Sequence, residues 1–167
     1  MNCIVNVSEN WGIGCDGSLL VSISADLKRF RELTSRKTVI LGRKTLATFP
    51  GGRPLKNRRN LILSTNPDFT VEGAEVVHSV PELLCAVHDC ADDAVCVIGG
   101  AEIYKLLLPY CHKAQITKTF VHQAADAFFP NLDELEGWQV ESAGPVEEEN
   151  GIRYQYIDYI NLNSKAY

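Results

Sequence analysis

Apolar residues recur along this chain in short blocks whose period changes. Cys3–Ser8 (CIVNVS), Thr38–Leu41 (TVIL), Asn60–Ser64 (NLILS), Ala74–His78 (AEVVH) and Ala94–Ile98 (AVCVI) are runs of four to six residues bounded by polar or turn residues. Such runs predict strands, and their near-continuous apolarity suits a parallel sheet buried on both faces. Gln115–Val121, Trp138–Ala143 and Ile152–Ile160 predict three more strands. The last two are joined through Glu149-Asn150-Gly151, where Asn-Gly is a hairpin signal. Helical stretches fall between the early strands. One runs from Ser24, as N-cap, to Ser35; a short one follows Gly42-Arg43-Lys44-Thr45 and is stopped by Pro50-Gly51-Gly52. A third has Ser79 as cap, Pro81 in its first turn and Glu82 closing a capping box. A fourth follows Gly99-Gly100 and ends at Pro109. The alternation predicts an α/β fold: eight strands in a mostly parallel sheet, four helices, and an antiparallel hairpin at the C-terminal end. Glu147-Glu148-Glu149 reads as a solvated turn.

Composition narrows the class. At 167 residues the chain predicts a single domain. Its formal charge is −5, which argues against a general nucleic-acid binder. The total conceals an asymmetry: between Lys28 and Arg59 lie eleven basic residues and one acid, Glu32. Five basic and twenty acidic residues remain elsewhere. A basic stretch kept on an acidic protein points to an anion, or else to a solvated helix face and loops. The N-terminus shows no signal-peptide pattern, and no apolar run is of membrane-spanning length. Six cysteines without a C-x-x-C pair suit a reduced, cytoplasmic protein with no metal site.

Four segments carry candidate chemistry. Gly12-Ile13-Gly14-Cys15-Asp16-Gly17 matches G-x-G-x-x-G, the dinucleotide fingerprint, letter for letter. Glu9-Asn10-Trp11 separates it from the preceding strand, and no helix start follows, so a flexible glycine-rich loop beside a site fits better. Asp26 is the second segment. On a helical wheel at about 100° per residue it falls in the same arc as Leu27, Phe30 and Leu33, with Lys28, Arg29, Arg31 and Glu32 opposite. A first-turn acid complements the helix dipole. A carboxylate on an apolar face also needs a partner, and a donor-rich ligand would be one. Both readings stand on periodicity alone. The third segment is Leu41-Gly42-Arg43-Lys44-Thr45, a strand running into a helix N-terminus with two cations, with Ser64-Thr65 at the end of the next strand. That combination suits phosphate. The fourth, Ile98-Gly99-Gly100-Ala101-Glu102, is again strand, glycines and helix, and the two junctions should converge at the carboxyl edge of a parallel sheet.

Taken together in this order and spacing, these segments resemble the dihydrofolate reductase family over nearly the whole chain. The matching pieces are Trp11-Gly12-Ile13-Gly14, Asp26-Leu27 with Phe30, Val39-Ile40-Leu41-Gly42-Arg43-Lys44-Thr45, Gly52-Arg53-Pro54-Leu55 with Arg58, and Asn60-Leu61-Ile62-Leu63-Ser64. Val97-Ile98-Gly99-Gly100 with Ile103-Tyr104, Ile116-Thr117, and Asp126 with Phe129-Pro130 complete them. The resemblance implies an eight-stranded sheet, parallel but for its last strand, with four flanking helices. It implies hydride transfer from NADPH to 7,8-dihydrofolate in a monomer.

The same resemblance assigns roles. Asp26 would be the acidic group of the pterin pocket, binding ring N3 and the 2-amino group and favouring the tautomer that accepts a proton at N5, which water delivers; Thr117 would support it. Val5, Leu27, Phe30, Arg31, Phe49, Ile98 and Tyr104 would contact the substrate, and Arg58 would take the α-carboxylate of its glutamate tail. Gly42, Arg43, Lys44, Thr45, Ser64 and Thr65 would hold the NADPH phosphates. Asn6, Ile13, Gly17, Ser18, Leu19, Leu63, His78, Gly99, Gly100, Ala101, Glu102 and Ile103 would complete the cofactor site, with a cis bond between the two glycines and Gly14–Leu20 as a lid over the nicotinamide.

This chain departs from the family pattern in places. Leu20-Val21-Ser22-Ile23-Ser24 lacks both usual prolines, and Val21 replaces a tryptophan that in the family fixes a water near the pterin. Asn6 stands where a small apolar residue is common, and Glu102 where some bacterial members carry an arginine. Two other readings stay open at this point: a reductase of another heterocycle on the same fold, as in riboflavin synthesis, and a non-catalytic folate- or nucleotide-binding module.

Overall fold

The computed structural model describes residues 1–15 and 17–167, with the backbone alone at Ser18 and Leu19. In chain order the elements are β1 (Asn2–Val7), β2 (Gly12–Cys15), β3 (Ser18–Leu19), α1 (Ser24–Thr34), β4 (Thr38–Gly42) and α2 (Arg43–Ala47). They continue with β5 (Arg59–Leu63), β6 (Glu75–Val77), α3 (Val80–Val87), β7 (Val95–Gly99) and α4 (Ala101–Leu107). The chain closes with β8 (Lys113–Thr119), β9 (Ala127–Phe128), β10 (Trp138–Glu149) and β11 (Ile152–Asn161).

Eight strands form one sheet in the order β10-β11-β8-β1-β7-β4-β5-β6. Only β11 runs against its neighbours; the other pairings are parallel. The continuous apolar runs explain the centre. Side chains alternate between faces along a strand. Ile40, Leu61, Val95 and Val97 therefore pack in one cluster, and Val39, Leu41, Ile62 and Cys96 in another, all with no exposed surface. The capping box of α3 forms as its sequence predicts, with Ser79 Oγ accepting from the Glu82 amide at 3.2 Å.

One feature of the register makes the cleft. β1 pairs with β7 only at Asn2↔Cys96 and Cys3↔Val97, but with β8 from Asn2↔Lys113 through Val7↔Lys118. Beyond Cys3 the sheet therefore opens between β1 and β7, at the carboxyl ends where parallel sheets bind ligands.

Four expectations need correction. Gly12–Cys15 is not a loose loop: as β2 it pairs with β3 and with β9, forming a second, three-stranded sheet. Ser24 is not the cap of α1 but its first residue; Ile23 is the cap and offers no side-chain acceptor. The glutamates before the hairpin turn are not a solvated turn, because β10 runs through to Glu149, and that carboxylate accepts from the N-terminal amides of α1. Finally, the apolar arc of α1 does not face a core. Only Thr34 of that helix is fully buried, and Leu27 is 49% exposed. No helix among the described residues is long and apolar enough to cross a membrane.

Candidate active site

Asp26 stands in the first turn of α1 beside the opening between β1 and β7, half-buried. Both of its oxygens are held. Thr117 Oγ1, on β8, donates to Oδ1 at 2.5 Å, and Asn6 Nδ2, on β1, donates to Oδ2 at 3.1 Å. The register pairs Asn6 with Thr117, which is why two strands reach one carboxylate. Thr119 Oγ1 in turn donates to Asn6 Oδ1 at 2.7 Å. A small cavity with room for a single water lies between Asn6, Thr119, Leu20 and Val21.

Apolar side chains stand on the elements around the opening. Leu27 and Phe30 come from α1, Phe49 follows α2, and Val5 and Ile98 lie on the two parted strands; Leu27 is exposed, Phe30, Phe49 and Ile98 half-buried, and Val5 buried. Tyr104 is buried and donates its hydroxyl to the Ile4 carbonyl at 2.7 Å, so burial pushes its phenol well above the ordinary range. Tyr156, on β11, also sits near Asp26. Burial first, and then the Asp26 charge, push its phenol up to about 12, and the Arg29 guanidinium stacks 3.9 Å over its ring.

A cationic site lies at the C-terminal end of α1. Arg58 Nε donates to Thr34 Oγ1 at 2.9 Å and its Nη1 to the Lys56 carbonyl at 2.8 Å. Thr34 is locked in turn by donating to the Phe30 carbonyl at 2.7 Å. Burial, and then the like charge of Arg31, pull the Arg58 guanidinium below its ordinary value. Two cations held close together in this way are complementary to an anion.

Across the sheet, the ends of β4, β5 and β7 present a second polar surface. Arg43 and Lys44 are exposed and form no ion pair among the described residues; Arg43 lies 6.0 Å over the Phe69 ring. With a helix of only five residues behind them, their side-chain charges outweigh its dipole. Thr45, Ser64 and Thr65 stand at the same edge. His78 Nδ1 lies 2.9 Å from the Ser64 carbonyl, which can only accept, so Nδ1 carries the proton and Nε2 is left for another partner. Gly99 and Gly100 are joined by a cis peptide bond. Added methyl groups would meet Ile103 at 3.0 Å from Gly42 and Thr45 Oγ1 at 3.1 Å from Gly100. Neighbouring side chains thus leave little room for a Cβ at either glycine.

The opened sheet thus has an anchored carboxylate on α1, a cationic pair at the C-terminal end of that helix and two exposed cations at the end of β4. The chain matches the family described as dihydrofolate reductase over residues 1–161. It belongs to the dihydrofolate reductase family. It is 36% identical over 164 residues to the dihydrofolate reductase of Bacillus subtilis, spanning 96% of this chain and 94% of that one. To the Mycobacterium tuberculosis enzyme of the same name it is 36% identical over 151 residues, 88% of this chain and 89% of the relative. Among solved structures it resembles dihydrofolate reductase from Enterococcus faecalis complexed with NADP(H) and RAB-propyl. The TM-score is 0.84 at 35% identity, covering 96% of this chain and 95% of that one.

The residues that the dihydrofolate reductase motifs single out fall on the elements as follows. Asp26, Leu27 and Phe30 lie on α1, Val5 on β1, Thr117 on β8 and Tyr104 on α4; Leu63 ends β5, and Ala101 and Ile103 stand on α4, Leu63 and Ile103 buried. Glu102 is exposed in the first turn of α4. Ile13 lies on β2 and Gly17 just beyond it; the side chains of Ser18 and Leu19, and Asp16 of the expected lid, lie outside the described residues. Asn6 has both polar ends of its side chain turned to Asp26 and Thr119. Thr119, Tyr156 and Glu149 were not singled out by sequence. Thr119 had a readable signal, since Thr117-Lys118-Thr119 on a strand puts both threonines on one face.

Proposed function

We propose that this chain reduces 7,8-dihydrofolate to 5,6,7,8-tetrahydrofolate with NADPH. The observation that carries the reading is Asp26, a carboxylate in an apolar cleft with both oxygens anchored from behind. An ionised carboxylate only accepts hydrogen bonds, and its outer lone pairs match a flat edge bearing two donors. The pterin ring presents that edge at N3 and the 2-amino group. Held there, Asp26 favours the tautomer that takes a proton at N5, and Thr117 keeps the carboxylate in place.

Arg58, with Arg31 beside it, takes the carboxylates of the glutamate tail. A heterocycle without such a tail has no use for this pair, which favours folate over the alternative substrates. Phe30, Phe49, Ile98 and Leu27 hold the rings between the two charged ends and exclude water from the reacting face.

The phosphate edge fits NADPH. Arg43 and Lys44 would hold the extra phosphate that distinguishes it from NADH, with Thr45, Ser64, Thr65 and His78 supplying further donors. Gly42, Gly99 and Gly100 would let the backbone approach the dinucleotide. NADPH, when bound, supplies the hydride. The absence of a disulfide among the described cysteines is in keeping with a reducing, cytoplasmic setting, and we read the protein as a monomer. The direct test is absorbance at 340 nm with NADPH and dihydrofolate at neutral pH: decay that needs both compounds is expected, and none above background refutes the reading.

A further inference from the structure

Behind Asp26 runs a chain of three hydrogen bonds whose direction is fixed by chemistry. Thr119 donates to Asn6 at 2.7 Å, Asn6 to Asp26 Oδ2 at 3.1 Å, and Thr117 to Asp26 Oδ1 at 2.5 Å. The carboxylate accepts only, so the amide nitrogen of Asn6 must face it and the amide oxygen must face Thr119. The Thr119 hydroxyl, 1% exposed with its residue, completes the lock. Turning the Asn6 amide over would set its oxygen against the carboxylate oxygen.

The last torsion of an aspartate is soft, because sp³–sp² bonds have broad, twofold profiles. A carboxylate anchored at one oxygen swings about its Cβ–Cγ bond. Anchored at both, its plane is set. A bidentate pair with a two-donor ring edge needs that plane aligned with the ring, so the second anchor sets the geometry of substrate binding. We propose that Asn6, locked by Thr119, is a positioning residue for the Asp26 carboxylate and thereby for the pterin. This rests on the reading of Asp26 as the pterin-binding group.

The test combines Asn6→Leu, Thr119→Val and Thr119→Ser with single-turnover hydride transfer, followed at 340 nm after mixing the NADPH complex with dihydrofolate. NADPH affinity is measured separately by fluorescence titration, and folding by thermal midpoint. Loss of a hydrogen bond to a charged group should slow hydride transfer about tenfold in Asn6→Leu and about threefold in Thr119→Val, with NADPH affinity within about twofold of wild type. Thr119→Ser keeps the hydroxyl and should recover to within about twofold. Because Thr119 acts through Asn6, adding Thr119→Val to Asn6→Leu should cost nothing more, a non-additivity that general destabilisation does not produce.

Unchanged hydride transfer in Asn6→Leu overturns the proposal; so does a loss of NADPH affinity as large as the loss of rate, which would place Asn6 in the cofactor site instead. If Asn6→Leu does not fold, the Thr119 pair decides, and equal rates in Thr119→Val and Thr119→Ser refute it. A wild type that does not consume NADPH removes the functional reading and this inference together, whereas an active wild type with unaffected variants removes this inference alone.

Discussion

Glu149 caps the helix that begins at Ser24, across 125 residues of sequence: its Oε2 accepts from the Ser24 amide at 2.7 Å. Its other oxygen accepts from the Ala25 amide at 3.2 Å. No local side chain serves α1 in this way, since Ile23 occupies the cap. The anion therefore comes from the end of β10, just before the hairpin turn, and meets two unsatisfied donors and the positive end of the helix at once. Asp26 is the next residue, so the C-terminal hairpin helps place the carboxylate of the cleft.

Glu149→Ala should accordingly destabilise the fold by about 1 kcal/mol, the usual size of a lost cap. Glu149→Gln, which keeps one acceptor, should cost less. Urea unfolding midpoints measure both. The KM for dihydrofolate should rise in Glu149→Ala while NADPH affinity holds, because the loosened turn carries Asp26 and not the phosphate edge.

Asp26→Asn should lower hydride transfer by roughly 100-fold, the size expected for lost acid–base assistance. The amide keeps the shape but can no longer accept at both oxygens. NADPH binding should be almost unaffected if Asp26 binds the pterin as proposed. Fluorescence titration and stopped-flow absorbance separate the two effects; equal losses in both would place Asp26 elsewhere.

How much of this was legible in the sequence depends on where the information lies. The central strands were, because burial on both faces leaves nothing but apolar residues, as in Val39-Ile40-Leu41. The capping box at Ser79 and Glu82 was, because both partners sit within one turn. β2 and β9 were not: glycines carry no side-chain period, and Ala127-Phe128 is too short to show one. The length of β10 was hidden because a mostly exposed edge strand has no apolar stripe. In the site, Asp26 stood out as an acid on an apolar arc, and Thr117 was implied by the family resemblance, but the rest of the network was not. Asn6 and Glu149 meet Asp26 or its helix, and Thr119 meets Asn6, only through strand register and the hairpin, contacts that span 20 residues or more.

Arg58→Leu should raise the KM for dihydrofolate by about 10- to 100-fold, the worth of a charge-assisted hydrogen-bonded pair. Its guanidinium is already braced by Thr34 and Lys56, so little ordering is left to be lost when an anion arrives. Affinity for NADPH alone should not change. A substrate analogue lacking the glutamate tail should be turned over equally by wild type and variant, and steady-state kinetics on both substrates checks this.

The Glu75–Arg59 pair gives a pH dependence of stability. Arg59 reaches Glu75 through Nε at 2.6 Å and Nη2 at 3.0 Å, tying edge strand β6 to β5. The Arg59 hydrogen bond holds the Glu75 carboxyl below its ordinary value. The folded state thus favours the charged form more than the unfolded chain does. The contribution is complete above the unfolded carboxylate value of about 4.3 and disappears as pH falls through the lower folded value. Both side chains are well exposed, so it amounts to about 0.5 kcal/mol. Glu75→Gln should be less stable than wild type by that amount at pH 7 and indistinguishable from it at the acid end, measured by urea midpoints.

Cofactor choice offers the last test. Arg43 and Lys44 have no acidic partner among the described residues, and α2 has no acid in its first turn. Their charges are therefore available to the phosphate that NADPH has and NADH lacks. Arg offers a planar fork that suits phosphate, which a glutamine replaces only in part. Arg43→Gln should raise the KM for NADPH about 10- to 100-fold and leave the KM for NADH within about twofold. Added salt should weaken NADPH binding to wild type more steeply than to the variant, because one fewer exposed charge is left to screen. Equal effects on the two cofactors would mean that Arg43 binds a phosphate they share.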